Sequence, residues 1–352
     1  MRTFTYTALP SRVVFGSGTV TRVREEVERL GRRRVLLLAG RHLDPRVTDG
    51  LGDLVVTRFD GAVMHTPTPV TDRALVVAEQ HDVDCVVAVG GGSTTGLSKA
   101  LAARAGYDQV IVPTTYAGSE VTPVLGETRD GVKTTRSGPE ILPETVVYDV
   151  DLTVDLPVAL TLTSAVNAMA HAVEALYSAQ ANPVVDGMAL DAIAAVARAL
   201  PRVASDPHDL GARADLLQAA WLAGTCLGGV GMGLHHKLCH TLGGSFDLPH
   251  APTHTVVLPH AMAYNAPAVP DVMARIADAM GVPDAPGGLY DLVAGLGGPT
   301  SLAEFGFTRA DIGRAAELAT ATPYPNPRPV TADGIARLLT DAHDGRRPGG
   351  GR

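Results

Sequence analysis

The strongest constraint on the fold of this chain is a change of sequence pattern near residue 150. Over residues 1–150, short β-branched runs alternate with amphipathic helical stretches, which is typical of βαβ units and a mainly parallel sheet. From Asp151 onward the chain is rich in alanine and leucine at helical spacing, with breaks at glycine and proline. We therefore predict an α/β domain over residues 1–150, an all-α domain over residues 151–342, and a disordered tail over residues 343–352.

Composition narrows the possible partners of the protein. The formal net charge of -8 argues against nucleic acid and membrane surfaces, since both would require a basic face. The three cysteines show no CxxC spacing, which favours a reducing compartment over a disulfide scaffold. No apolar run reaches the length that spans a membrane. We expect a cytoplasmic protein with no nucleic-acid partner and no membrane partner.

A glycine-rich turn follows the apolar run Cys85–Val89 and reads GGGSTTGLSKA. Glycines between a strand and a helix let the backbone approach a pyrophosphate, and the helix start offers free N–H donors. The motif is not GxGxxG, and a tight loop of purely structural glycines is the alternative. A second turn, PTTYAGSE, should reach the same carboxyl edge of the sheet. The predicted dinucleotide contacts from these two turns are Gly90, Gly91, Gly92, Ser93, Thr94, Thr114, Thr115 and Ser119.

The turn after the run VLLLA bears on the choice of cofactor. Its tip carries Gly40 and Arg41 and lacks the acidic residue that usually grips the ribose of NAD. An arginine there can meet a 2′-phosphate, so we expect NADPH to be accepted alongside NADH. Arg41 can equally be a solvated surface residue.

Six of the twelve histidines fall between His235 and His260. His236 and His240 are four residues apart, so on a helix both rings share one face. A second predicted helix, from Ser164, carries Asn167, His171 and Glu174 at similar spacing, and such pairs build polar sites inside helical bundles. As the structural interpretation, we assign His235 and His260 to the core, and we expect Glu174 and Lys99 to be helix-surface or pairing residues.

Several long segments, taken in order, resemble the maleylacetate reductase family, a branch of the iron-containing alcohol dehydrogenase superfamily. They read GGGSTTGLSKA, PTTYAGSEVTP, GVKTTR, NAMAHAVEALY and HHKLCHTLGGSFDLPHAPTHTVVLPHAMAYN. The resemblance covers Phe4 to Ala342. It implies a dehydroquinate synthase-like fold with an NAD(P)-binding α/β domain, a helical catalytic domain and a homodimer. It also implies reduction of the carbon–carbon double bond of 2-maleylacetate to give 3-oxoadipate, a step in the breakdown of aromatic compounds.

The resemblance raises the question of a metal. Metal-containing relatives use an Asp, a His four residues later, and two further histidines fourteen residues apart. The matching positions in this chain are Asn167, His171, His236 and His250. An amide is a poor ligand for a divalent ion, and Gly96 replaces an Asp found in aldehyde-reducing relatives. We therefore favour a metal-free site over a weakened one.

The expected substrate is a small dicarboxylate that requires cationic groups or hydrogen-bond donors. The candidate catalytic residues are His240, His236, Lys237, His171, His250 and His254. His240 is our candidate for the proton donor or enolate partner, and Lys237 with His236 for holding a carboxylate. The alternatives are a metal-dependent alcohol or aldehyde dehydrogenase of the same superfamily, and a dehydroquinate synthase-like lyase.

Overall fold

The computed structural model describes residues 3–41, 43–129 and 132–349. Six parallel strands form the sheet of the N-terminal part: β1 (Arg12–Gly16), β2 (Val35–Ala39), β3 (Val55–Phe59), β4 (Cys85–Gly90), β5 (Asp108–Pro113) and β8 (Thr145–Asp149). A separate antiparallel hairpin comprises β6 (Val124–Arg129) and β7 (Val132–Ser137). The helices of this part are α1 (Val23–Arg29), α2 (Pro45–Leu51), α3 (Thr68–Gln80) and α4 (Gly92–Ala105).

The sheet has the strand order β1-β8-β5-β4-β2-β3. Strand β2 leads to β3 on one side, whereas its neighbour β4 leads to β5 on the other. Open α/β sheets bind ligands at such a switch point, outside the carboxyl ends of the strands. Ala39 is opposite Val89, and Gly90 is opposite Pro113, so the turns that follow β2, β4 and β5 begin at one level of the sheet.

Helices account for the rest of the chain. They are α5 (Val158–Leu176), α6 (Pro183–Ser205), α7 (Leu210–Gly229), α8 (Leu234–Phe246), α9 (His250–Asn265), α10 (Pro270–Met280), α11 (Ala285–Gly295), α12 (Asp311–Thr320) and α13 (Ala332–His343). Helix α5 is buried on all sides from Thr161 to Leu176, as expected of a helix that is apolar around its whole circumference. The predicted fold class, a mainly parallel α/β part followed by an all-α part, is confirmed.

The chain divides into two compact units whose limits differ in three places from the predicted domains: at residues 1–8, 151–156 and 208–217. The sheet unit contains residues 9–156 together with 208–217, and the helical unit contains residues 1–8, 157–207 and 218–352. The side chain of Arg213 connects the first part of α7 to the sheet unit. Its fully buried guanidinium donates to the hydroxyl of Tyr116 at 3.2 Å, to the carbonyl of Leu156 at 3.0 Å and to the carbonyl of Thr153.

The beginning of the predicted tail is tied down by ion pairs. Arg346 contacts Asp341 at 2.8 Å, and Arg347 contacts Asp291 at 2.8 Å. The expected disorder of residues 343–352 stays a prediction, and residues 350–352 lie outside the described part of the chain.

Within the described residues, no single helix is long and apolar enough to cross a membrane. Helices α7 and α8 pass that test only as a pair, by length and composition, and the pair is bent by 98°.

Candidate active site

The glycine turn joins β4 directly to α4. Gly91 caps the helix, and the amide N–H groups of Thr94 and Thr95 donate to its carbonyl at 3.1 Å. A Cβ atom on Gly91 would lie 3.1 Å from Cγ2 of Thr115, so a side chain here would crowd the second turn. The amide of Thr114 also donates to the carbonyl of Gly90 at 3.0 Å. The two predicted phosphate-binding turns are therefore adjacent, and the helix start can receive a pyrophosphate.

The remaining predicted contacts of the cofactor surround this turn. Gly92 has open space where a side chain would stand, and Ser93 is half-buried beside it. Gly40 and Arg41 follow β2, across the switch point from the glycine turn. The side chain of Arg41 is 88% exposed and lies 3.6 Å from the exposed carboxylate of Asp60. A surface pair of this kind is weak, so Arg41 remains available to an anion.

The expectation that Lys99 lies on a helix surface is wrong. Its side chain is 1% exposed, and Nζ donates to the carbonyls of Thr122 at 2.8 Å and Val124 at 3.0 Å, and to the carbonyl of Ser119. Burial lowers the pKa of Lys99 to about 7, and the nearby carboxylate of Glu120 opposes that shift. Because Lys99 belongs to α4 and its acceptors follow the second turn, it fixes the two nucleotide turns relative to each other.

Gly96, one turn into α4, is a second position where a side chain is excluded. A Cβ atom there would lie 2.5 Å from Oγ1 of Thr66, whose backbone already has a φ of 45°. An acidic side chain at position 96 would require this loop to move.

Glu174 is the organising carboxylate of the helical unit. Its side chain is 1% exposed and accepts the amide N–H groups of Gly233 at 3.2 Å, His235 at 2.9 Å and His236 at 3.2 Å. It therefore caps the first turn of α8, where N–H groups lack partners and a negative charge is stabilised. Oε2 of Glu174 also accepts a hydrogen bond of 2.7 Å from Nδ1 of His236. Of the two alternatives predicted for Glu174, a surface residue or a pairing residue, the structure shows the second, in a buried position.

The predicted histidines come together as rings from three helices, α5, α8 and α9. The ring centroids of His171 and His236 are 4.9 Å apart, and those of His236 and His240 are 6.3 Å apart. His254 lies 5.2 Å from His236 and 4.3 Å from His250. Asn167 precedes His171 by four residues on the same buried face of α5.

His235 belongs to this cluster, although the sequence assigned it to the core. Its Nε2 is 2.9 Å from Nδ1 of His254, and its ring is 3.8 Å from Sγ of Cys239. These three buried residues have ligand atoms within 4.8 Å of one another. However, burial holds the pKa of the Cys239 thiol well above its usual range, so the thiolate that binds metals is disfavoured.

Lys237 and His240, on α8, are both half-buried. The ammonium of Lys237 makes no hydrogen bond or ion pair with any described residue. By contrast, His260 shares α9 with His250 and His254 but has no ring contact with the cluster among the described residues.

Burial and the neighbouring imidazoles together hold the pKa values of His171, His235 and His254 well below the usual range of histidine. These rings are therefore neutral at neutral pH, and each offers one N–H donor and one lone pair. The carboxylate of Glu174 lies against Nδ1 of His236. The cluster can hold a cation through its lone pairs, or an anion through its N–H donors.

Comparison with known proteins agrees with this arrangement. The profile described as "Iron-containing alcohol dehydrogenase" matches residues 10–150, and the profile of the "Fe-containing alcohol dehydrogenase family, C-terminal" matches residues 161–343. The chain belongs to the iron-containing alcohol dehydrogenase family. Members of this family are NAD(P)H-dependent oxidoreductases, and so is this enzyme.

Within the iron-containing alcohol dehydrogenases, the chain is similar to proteins named maleylacetate reductase. Maleylacetate reductase 1 of Rhodococcus opacus is 62% identical over 348 residues, covering 98% of both chains. The crystal structure of maleylacetate reductase from Agrobacterium tumefaciens has a TM-score of 0.94 and 52% identity, covering 99% of this chain and 100% of that one. The structure from Rhizobium sp. strain MTP-10005 has a TM-score of 0.93 at 52% identity, with the same coverage. The resemblance predicted from the sequence is confirmed.

The family is named for iron, and the nitrogens of the histidine cluster decide whether these residues fit a metal. Nδ1 of His171 and Nε2 of His236 are buried and have no hydrogen-bond partner among the described residues. Nδ1 of His236 donates a hydrogen bond to the carboxylate of Glu174. A metal-ligating histidine is usually oriented by such a bond from its second ring nitrogen. The free nitrogens of His171 and His236 therefore fit a divalent ion as two of its ligands, but Asn167 adds no anionic ligand.

Proposed function

We propose that this chain is an NAD(P)H-dependent maleylacetate reductase, which reduces the double bond of 2-maleylacetate to give 3-oxoadipate during the breakdown of aromatic compounds. The supporting observation is the buried histidine cluster around Glu174 in a chain similar to maleylacetate reductases over nearly its full length. The cluster combines neutral rings, one carboxylate-supported imidazole and the ammonium of Lys237, which suits a dianionic substrate.

The chemistry sets the demands on the site. When bound, the reduced nicotinamide supplies a hydride to the alkene carbon beside one carboxylate. The electron pair of the double bond then moves to the ketone oxygen as an enolate, and a proton must finally reach the carbon next to that ketone. A positioned N–H donor stabilises the enolate, and a general acid delivers the proton.

We assign the roles from position and charge. His240 is half-buried and lies at the edge of the cluster, so it is our proton donor or enolate partner. Lys237 and His236 hold one substrate carboxylate. His171 and His250 face the other end of the acid, and His254 supports His250 from behind.

The cofactor occupies the glycine turn. Gly90, Gly91, Gly92, Ser93 and Thr94 receive the pyrophosphate, and Thr114, Thr115 and Ser119 line it from the second turn. Arg41, with Gly40 beside it, favours NADPH through the 2′-phosphate.

We propose that the reduction proceeds without a resident metal. Asn167 removes the negative charge that would offset the desolvation of a cation, and a protonated imidazole can stabilise an enolate in its place.

A metal-dependent alcohol or aldehyde dehydrogenase is the second candidate. The unpartnered nitrogens of His171 and His236 favour it, because buried lone pairs attract a cation. A divalent ion held by His171, His236 and His250 would polarise a carbonyl oxygen as a Lewis acid.

The deciding experiment follows nicotinamide absorbance with maleylacetate and with a panel of aldehydes, before and after chelation. We expect oxidation of NADH or NADPH with maleylacetate, unchanged by the chelator. Turnover of aldehydes that is lost on chelation and returns with added metal would overturn the proposal in favour of the second candidate. We also expect a cytoplasmic protein that forms a homodimer. Sedimentation of the purified enzyme would test the homodimer.

A further inference from the structure

A second polar pocket lies in the helical unit, away from the histidine cluster. Its volume is 480 Å³, and none of the clustered histidines lines it. The charged and polar side chains that line it come from α9, the proline-rich loop before α13, α13 itself and the segment that follows it. They are His260, Arg328, Arg337, Asp341, Arg346 and Arg347.

The pocket carries a positive charge on a protein that is acidic as a whole. Four arginines and one aspartate line it, whereas the complete chain has a formal net charge of -8. Arg346 pairs with Asp341 and Asp344, and Arg347 pairs with Asp291, so part of the positive charge is compensated. The guanidinium groups of Arg328 and Arg337 have no carboxylate partner among the described residues, and a concave surface with an excess of one sign of charge favours a counter-ion.

The hydrogen bonds and ion pairs that these arginines make within the protein leave some of their N–H groups open to a ligand. Arg328 donates to the carbonyl of Tyr264 at 2.8 Å and lies 4.4 Å above the ring of Tyr264. Arg346 and Arg347 pair with carboxylates at 2.8 Å. Arg337, on α13, makes no hydrogen bond or ion pair with any described residue.

The inner wall of the pocket holds an unsatisfied polar atom. His260 is 4% exposed, and its Nε2 has no hydrogen-bond partner among the described residues. An unpaired buried polar atom costs free energy comparable to a lost hydrogen bond, and such atoms usually face a ligand or an ordered water. This observation is independent of the arginines and points to the same pocket.

We propose that this arginine pocket binds a small polycarboxylate anion at a site distinct from the histidine cluster. The flat, forked guanidinium group matches a carboxylate in two parallel hydrogen bonds, and several of them suit an anion with two or three carboxylates. The volume falls in the range of small-molecule sites. A ligand here bridges α9, which carries His250 and His254, to α13 and residues 346–349, and so stabilises the end of the chain.

The test uses the full chain and calorimetric titration with citrate, succinate, acetate and inorganic phosphate. Three variants are compared with the wild type. Arg337→Gln and Arg337→Glu change a pocket residue that has no structural partner. Arg198 is an exposed arginine on α6 outside the pocket, so Arg198→Glu is the matched control for the reversal of charge in Arg337→Glu.

We expect citrate to bind more tightly than succinate, and succinate more tightly than acetate. Arg337→Gln should weaken citrate binding by about tenfold and Arg337→Glu by up to about a hundredfold, as loss of a charge-assisted hydrogen bond predicts. Arg198→Glu should change it less than twofold. Equal affinity in Arg337→Glu and the wild type, absence of citrate binding at millimolar concentration, or tighter binding of phosphate than of citrate would each overturn the proposal. Turnover of maleylacetate is measured separately, so failure here does not bear on the proposed catalytic function.

Discussion

The Oε2 atom of Glu174 accepts a 2.7 Å hydrogen bond from Nδ1 of His236 while the same carboxylate caps the first turn of α8. One buried carboxylate thus sets both where α8 begins and which way the His236 ring faces.

Glu174→Gln tests that coupling. An amide can still accept one hydrogen bond, but it removes the negative charge that caps the first turn of α8 and holds the His236 ring. We expect turnover to fall by roughly ten- to a hundredfold, as for other residues that orient a functional histidine. Steady-state kinetics measures this, and far-UV circular dichroism confirms that the helices remain. An unchanged kcat would contradict the assigned role.

His240→Ala tests the proton donor. Loss of a general acid or of an enolate partner should reduce turnover by roughly two to four orders of magnitude. His81→Ala, which removes an exposed imidazole on the sheet unit, is the control and should be near normal. If His240→Ala retained most of its activity, another residue would have to supply the proton.

Asn167→Asp tests the relation of the cluster to a metal site. The new carboxylate would stand one turn before His171 and supply the missing charge, so affinity for a divalent ion should rise at least about tenfold. Titration with zinc measures this. Gln180→Glu, which adds the same charge at an exposed position, should not alter it. No gain in Asn167→Asp would mean that position 167 does not face the imidazoles of His171 and His236.

Arg41→Ala tests the choice of cofactor. The exposed guanidinium is paired only weakly with Asp60, so it can contact a 2′-phosphate. We expect the Michaelis constant for NADPH to rise by about tenfold and that for NADH to change little. Arg73→Ala, an exposed arginine on α3, serves as the control. An equal change for both cofactors would remove Arg41 from phosphate binding.

His260 makes stability depend on pH. Burial lowers its pKa to about 4, against a weaker opposing effect of Asp341, whereas the unfolded imidazole titrates near its usual value. Between these two pKa values the unfolded chain binds a proton that the folded chain does not. The folded state is therefore destabilised as pH falls, by about 2 kcal/mol between pH 7 and pH 5.

Urea denaturation at the two pH values measures this effect. The variant His260→Gln should lose less stability on acidification by about that amount, and His81→Gln should behave like the wild type. The same pH dependence in His260→Gln and the wild type would show that His260 does not titrate in this way.

Local sequence patterns were sufficient for most strands of the parallel sheet and for the positions of the main groups. The apolar runs before glycine or proline located β2, β4 and β5, and a four-residue spacing placed His236 and His240 on one face of α8. Two strands of the hairpin and β3 were missed, since short runs such as Val55–Phe59 are half-buried and carry little periodicity.

The sequence alone determined which face of each helix carries polar groups, because that depends only on spacing along the chain. Only the tertiary structure decided which of those groups become partners. Glu174 and Lys99 resemble ordinary surface residues in the sequence, yet packing buries both beneath backbone groups that are distant along the chain. Burial removes the competing water, so each charge must find its partners within the fold, and that selection is a property of packing and not of spacing.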